Sequence, residues 1–335
     1  MKAPFPYFGG KATIAADVWR WLGQPKHYIE PFFGSGAVLF HRPNWNLNMV
    51  ETVNDKDGYV ANVWRSIQFS PDETAKWCDW PVNHADLCAR KAALIKNENR
   101  LLENLIADDK WHDPVMAGYW IWAASCWIGS GLTRPNAIPH VGHAGIGVHA
   151  GQRSHVSKQP MGVHKITERG FGTDSEKSGT DAYNINIYKW FRQLSERLRY
   201  VRVVCGDWKR VCGGNWQDNM GVVGIFFDPP YGVEDRCADI YAQDSTSVAP
   251  DVRAWCLARG NRPTYRIVLA GYFEEHQELL EHGWTVKRWK ACGGYGTNSR
   301  NGESQGQKNR VREALFLSPH CIKSNSGGFF DENSQ

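Results

Sequence analysis

Residues 224–232 read GIFFDPPYG, an apolar run closed by an acid, two prolines and a tyrosine. A carboxylate at the end of a buried strand is held rigidly here. Each proline fixes its own φ and discourages helical geometry in the residue before it, so the turn keeps its shape. Such an acceptor suits the activation of an exocyclic amino group on a nucleobase. That nitrogen is a poor nucleophile because its lone pair is delocalised into the ring, and acceptors held against its two hydrogens draw it toward a tetrahedral, nucleophilic form. Asp228 supplies one acceptor and the carbonyl of Pro229 a second; Pro230 locks the turn. Tyr231 offers a face on which a base stacks, worth roughly 1–3 kcal/mol. The competing reading is a turn that merely ends a strand.

A second group of residues suits a nucleoside ligand. In PFFGSG, Phe32, Gly34 and Gly36 form a glycine turn after a short apolar strand, where missing side chains let a ligand approach the backbone. The spacing is FxGxG, without the third glycine of the dinucleotide fingerprint. Asp55 ends the next strand, where an acid accepts hydrogen bonds from both hydroxyls of a ribose.

These residues require a parallel sheet to bring them together. HYIE, NMVETVND, VRVVCGD, VVGIFFD and YRIVLAGYF read as strands, and AVLFHR, YVANVWRSI and the stretch from Ala85 to Asp109 read as helical, the last as one long helix or a pair. Nearly all-apolar strands alternating with helices predict an α/β fold with a mostly parallel sheet covered on both faces. Ligands bind such sheets at the carboxyl ends of the strands. The strand ends carry Glu30, Asp55, Asp207 and Asp228, a rim of carboxylates. WTVKRWKACGG and VREALFLSP pair as an antiparallel hairpin across a polar loop, and GYWIWAASCWIGSGL forms a buried helix. Residues 134–184, rich in Gly, His and Ser, read as a long insertion. Residues 320–335 read as a loose tail.

The 335 residues hold 22% charged side chains and a net charge of +4, ordinary for a soluble globular chain. No apolar run reaches the length needed to span a bilayer, and the first residues lack a secretory signal, so a reducing cytoplasm is expected. Nine cysteines without a CxxC pair fit free thiols. The histidines at 140, 143, 149, 155 and 164 lack regular metal-ligand spacing, so no metal is expected. Between Lys287 and Arg312 seven basic residues face the single acid Glu303; Lys290, Arg300, Lys308 and Arg310 are the candidate phosphate contacts of a DNA clamp.

The ordered set PYFGGK (6–11), EPFFGSG (30–36), NDKD (54–57) and DPPY (228–231) resembles the Dam-like, D12 class of DNA adenine methyltransferases, over residues 1–70 and most of 185–318. The resemblance implies a Rossmann-like methyltransferase sheet, S-adenosylmethionine as cofactor, double-stranded DNA as partner and N6 of a flipped-out adenine as acceptor. It implies that Tyr7 and Lys11 line the cofactor and target pocket, that Phe32, Gly34 and Gly36 pass the cofactor, and that Asp55 binds its ribose. Asp207 then contacts the cofactor's adenine, and Asp228 is the catalytic acid that also borders the cofactor. The catalytic domain is expected at 1–71 and 185–319, with target recognition in 72–184. Cytosine N4 methylation and a catalytically silent DNA-binding protein of the same fold stay open as alternatives. An ion pair between Lys11 and Glu30 is the structural alternative for that lysine.

Overall fold

The computed structural model describes residues 1–5, 7, 9–127, 131–137, 187–231, 248–289 and 312–323. Its strands are β1 (His27–Glu30), β2 (Val50–Asp55), β3 (Val201–Cys205), β4 (Val223–Phe227), β5 (Tyr265–Tyr272), β6 (Thr285–Arg288) and β7 (Glu313–Leu317). They form one sheet in the order β3-β2-β1-β4-β5-β7-β6. β1 through β5 run parallel, while β7 is antiparallel to both β5 and β6, so the expected terminal hairpin is present. This is the strand order of Rossmann-like S-adenosylmethionine-dependent methyltransferases.

The near-continuous apolar strands are explained by burial on both faces. Phe226, Val268, Ala270, Leu315 and Leu317 belong to one core, and their neighbours Ile225, Phe227, Ile267, Leu269 and Phe316 to the other. The first core is covered by α1 (Ala15–Leu22), α3 (Gly58–Phe69), α4 (Pro71–Cys78), α5 (His84–Ala107), α6 (Pro114–Cys126) and α7 (Ile187–Leu198). Between α1 and α3 a single turn, α2 (Ala37–Phe40), occupies the place where AVLFHR predicted a helix. The second core is covered by α8 (Lys209–Cys212) and α9 (Val248–Arg259), and a further turn, α10 (Phe273–His276), follows β5. Each fully buried large side chain contributes about 1.5–3 kcal/mol of hydrophobic stabilisation, and the central strands β1 and β4 are buried along their whole length.

α4, α5 and α6 pack against one another and against α3 and α7, so the helical part of the stretch expected to read DNA shares a core with the sheet. α5 is one continuous helix of 24 residues, started by the Asn83 side chain accepting from the Asp86 amide. α6 begins at Pro114 with the Asp113 carboxylate as its cap and ends at Cys126. Within the stretch read as a tail, Cys321 is buried and the Ile322 amide donates to the Trp21 carbonyl at 2.8 Å, so this part rests on α1. No described helix is long and apolar enough to cross a membrane.

One buried charge network fixes the amino end of β2. Glu51 accepts from Arg42 Nη1 at 3.0 Å and takes two bonds from Arg197, at 2.7 and 2.9 Å. It thereby joins β2, the residue pair following α2, and α7.

Candidate active site

The chain switches direction across the sheet between β1 and β4, and at such a point the loops leave the carboxyl ends on opposite sides and open a crevice. The glycine turn after β1 forms one wall. Gly34 has φ +46°, and a Cβ there would lie 2.5 Å from Cε1 of Tyr7, so only glycine lets the Tyr7 ring cover this turn. The turn is tied down from behind: Trp64 Nε1 donates to the Gly34 carbonyl at 2.8 Å, and the Phe33 amide to the Asn54 carbonyl at 2.9 Å. Gly36 has φ +65°, but the space beside it is filled by Phe33 and Phe40, so its part in the site is to turn the chain into α2.

Asp55 closes the turn from β2. One carboxylate oxygen accepts from the Gly34 amide at 2.8 Å and the other from the Asp57 amide at 2.9 Å. Asp57 in turn caps α3 by accepting from the Tyr59 amide at 2.8 Å. Burial, and secondly the neighbouring Asp57, raise the Asp55 carboxyl from its ordinary 3.8 to about 7. Burial likewise raises Asp57 to about 6. Asn54, buried between them and the sheet, donates to the carbonyls of Pro31 and Gly206 at 3.0 Å each. It thus links the ends of β1, β2 and β3 in one knot.

Asp228 stands directly after β4, at the other side of the crevice. Its Oδ2 is 2.9 Å from the Lys11 ammonium, and its Oδ1 accepts from the Tyr231 hydroxyl at 3.3 Å. Lys11 is 5% exposed, also donates to the Gly9 carbonyl at 2.9 Å, and lies 5.5 Å from the centre of the Tyr231 ring. The ion pair therefore forms with Asp228. Glu30, the partner considered for Lys11 from the sequence, instead accepts from the Tyr28 hydroxyl at 2.8 Å. Burial holds the Glu30 carboxyl well above the usual carboxylate range despite that bond, and nearby Asp228 pushes it the same way. Tyr231 is buried, with the Tyr272 ring 4.7 Å from its own.

A cleft open to solvent unites these groups. Tyr7, Lys11, Phe32, Gly34, Asp55, Asp207, Asp228 and Pro230 all line it; Gly36, Pro229 and Tyr231 stand behind the lining. Asp207 is exposed and accepts from the Lys209 amide at 2.9 Å, which starts α8. The sequence reading missed Trp208, one residue past Asp207, and Glu98, Leu101 and Leu102 of α5, which form the cleft wall beside Asp57. Trp208 was legible as the last letter of CGDW. The α5 residues carried no signal, because only the tertiary docking of that helix brings them to the strand ends. Lys290, Arg300, Lys308 and Arg310 lie outside the described residues.

No protein-family model and no curated protein matches the chain. Its assignment rests on architecture. The strand order is that of the architecture found in S-adenosylmethionine-dependent methyltransferases in general.

Proposed function

We propose that the protein is a DNA methyltransferase that transfers a methyl group from S-adenosylmethionine to N6 of an adenine flipped out of the duplex. The observation that carries this reading is the placement of Asp228. The acid of DPPY stands at the switch point, ion-paired to the lysine of PYFGGK, in the cleft that also holds Asp55 and the glycine turn.

The donors and acceptors in the cleft fit S-adenosylmethionine. Both oxygens of Asp55 already take a backbone amide, and a carboxylate has about four acceptor sites, so acceptor capacity remains for a ribose hydroxyl. Phe32, Leu101, Leu102 and Trp208 supply apolar surface for the adenosyl group, and Asp207 an acceptor for its amine. When bound, the cofactor supplies an electrophilic methyl group on a sulfonium. Asp228 and the Pro229 carbonyl accept the two amine hydrogens of the target base, and Lys11 fixes the orientation of the Asp228 carboxylate. The base stacks on Tyr231, which Tyr272 braces. An amino group inside the base stack cannot meet this acceptor, so the base leaves the helix. Much of the rate then comes from positioning. The segment containing Lys290, Arg300, Lys308 and Arg310 holds phosphates of the duplex.

Asp55→Ala is expected to weaken cofactor binding by about 1.5–3 kcal/mol, the range for a hydrogen bond to a charged group. The pH dependence has a definite sign. A carboxyl raised above its unfolded value makes the folded chain bind the proton more tightly, so its ionisation costs stability as pH climbs from about 4 to about 7. Hydroxyl donors favour the ionised form, so cofactor affinity should increase with pH and level off above about 7. Calorimetry across this range checks it, and Asp55→Asn should flatten the profile.

The substrate class is tested with methyl-labelled S-adenosylmethionine offered DNA, RNA and protein together. Label retained in material digested by deoxyribonuclease supports the reading; label in RNA or protein alone refutes it.

A further inference from the structure

α5 belongs to the region between the two halves of the sheet, yet it reaches the proposed cofactor cleft. Tyr59 of α3 donates its hydroxyl to the Leu94 carbonyl at 3.0 Å, and the Gly58 backbone lies so close to Leu102 that an added Cβ would sit 3.6 Å from its Cδ1. This contact turns Glu98, Leu101 and Leu102 toward Asp55 and Asp57, where all three line the cleft. Leu101 and Leu102 give the wall an apolar surface, and Glu98 gives it one carboxylate. Glu98 is half-buried and has no ion-pair partner among the described residues. Its charge is felt by Asp57, whose carboxyl it pushes up. Asp55, Asp57 and Glu98 thus line a cleft that Lys11, Lys56, Asp207 and Asp228 also line, and each of the two on β2 and its following turn already holds a backbone amide. Among the described residues none donates a hydrogen bond to Glu98. A ligand bearing hydroxyl donors relieves that arrangement; a phosphorylated ribose would worsen it.

We propose that Glu98 is a second ribose-binding residue, accepting a hydroxyl of the cofactor's adenosyl group opposite Asp55, so that the bound cofactor bridges the catalytic sheet and the inserted helix. This rests on the assignment of the cleft to S-adenosylmethionine. Nearer its amino end α5 holds the chain that follows α6: Lys91 donates to the Leu132 carbonyl at 3.0 Å and to that of Arg134. The bridge therefore connects the cofactor to a loop of the region expected to meet DNA.

The test is calorimetric titration of the wild type and Glu98→Ala with S-adenosylmethionine and with its 2′-deoxy and 3′-deoxy forms. Glu98→Ala should bind the parent cofactor about tenfold more weakly. It should also lose less than the wild type when one of the two hydroxyls is removed, since the partner of that hydroxyl is already gone. A merely structural role for Glu98 would weaken all three ligands by the same factor. Equal factors, or unchanged affinity for the parent cofactor, would overturn the proposal while leaving the cleft assignment standing. A folded wild-type protein that binds none of the three would overturn both.

Discussion

Asp228→Ala is expected to reduce methyl transfer by at least about 10²–10³-fold, the scale on which loss of one preorganised polar partner slows an enzyme. The reason is geometric: Asp228 is the only carboxylate of the DPPY turn, and both flanking elements, β4 and the two prolines, are rigid. The fold should survive, because the carboxylate lies in the cleft and outside both apolar cores. One complication has a remedy. Lys11 is buried, so removing its counter-ion leaves, among the described residues, a charge held by the Gly9 carbonyl and the Tyr231 ring without a carboxylate. The double variant Lys11→Met/Asp228→Ala removes that penalty and should remain folded and inactive. Asp228→Asn should be nearly as damaging, since its amide can turn a donor toward the amine. Single-turnover assays alongside circular dichroism separate the chemistry from folding. Near-normal turnover by a folded Asp228→Ala protein would refute the mechanism.

The largest effect on stability is expected at Glu51, far from the chemistry. Its side chain is 1% exposed and that of Arg42 0%, so Glu51→Ala leaves the Arg42 guanidinium buried with no carboxylate. Breaking a buried pair from one side costs about 3–5 kcal/mol, because the stranded charge cannot return to water. Arg197, more exposed, loses two bonds but keeps access to solvent. Urea unfolding should show the midpoint falling without a change in slope. Glu51→Gln, which retains an acceptor of the same shape, should lose less. Cofactor affinity measured well below the transition should stay near that of the wild type, since Asp55 sits at the opposite end of β2. A loss below about 1 kcal/mol in Glu51→Ala would show that the network relaxes around the gap.

Much of this architecture was legible because the local signals agreed. Apolar strands ending in Glu30, Asp55 and Asp228, separated by helical periodicity, specify a parallel sheet with its acids at one edge, and the hairpin of β6 and β7 follows from two apolar runs near the chain's end. The sites of Gly34 and Asp55 were legible for a related reason: a turn that needs a positive φ accepts few residues other than glycine. What stayed hidden depends on tertiary packing. Nothing in the periodicity of α5 distinguishes Glu98 from any other acid on a half-exposed helix face. The partner of Lys11 was equally hidden, since Glu30 and Asp228 are both adjacent acids. Burial and the Tyr28 bond decide between them by withdrawing Glu30 from the contest. Gly36, read as part of the ligand cradle, is explained by its packing against Phe33 and Phe40.

The most direct test of the central claim is the identity of the methylated base. Duplex DNA from a source lacking adenine methylation is incubated with the protein and methyl-labelled S-adenosylmethionine, digested to nucleosides and separated by chromatography with mass detection. The account predicts label in N6-methyldeoxyadenosine, absent when Asp228→Ala replaces the wild type. Label in N4-methyldeoxycytidine would keep the turn chemistry and contradict the choice of base. Unlabelled DNA, from a protein shown by calorimetry to bind the cofactor, would contradict the assignment as a DNA methyltransferase.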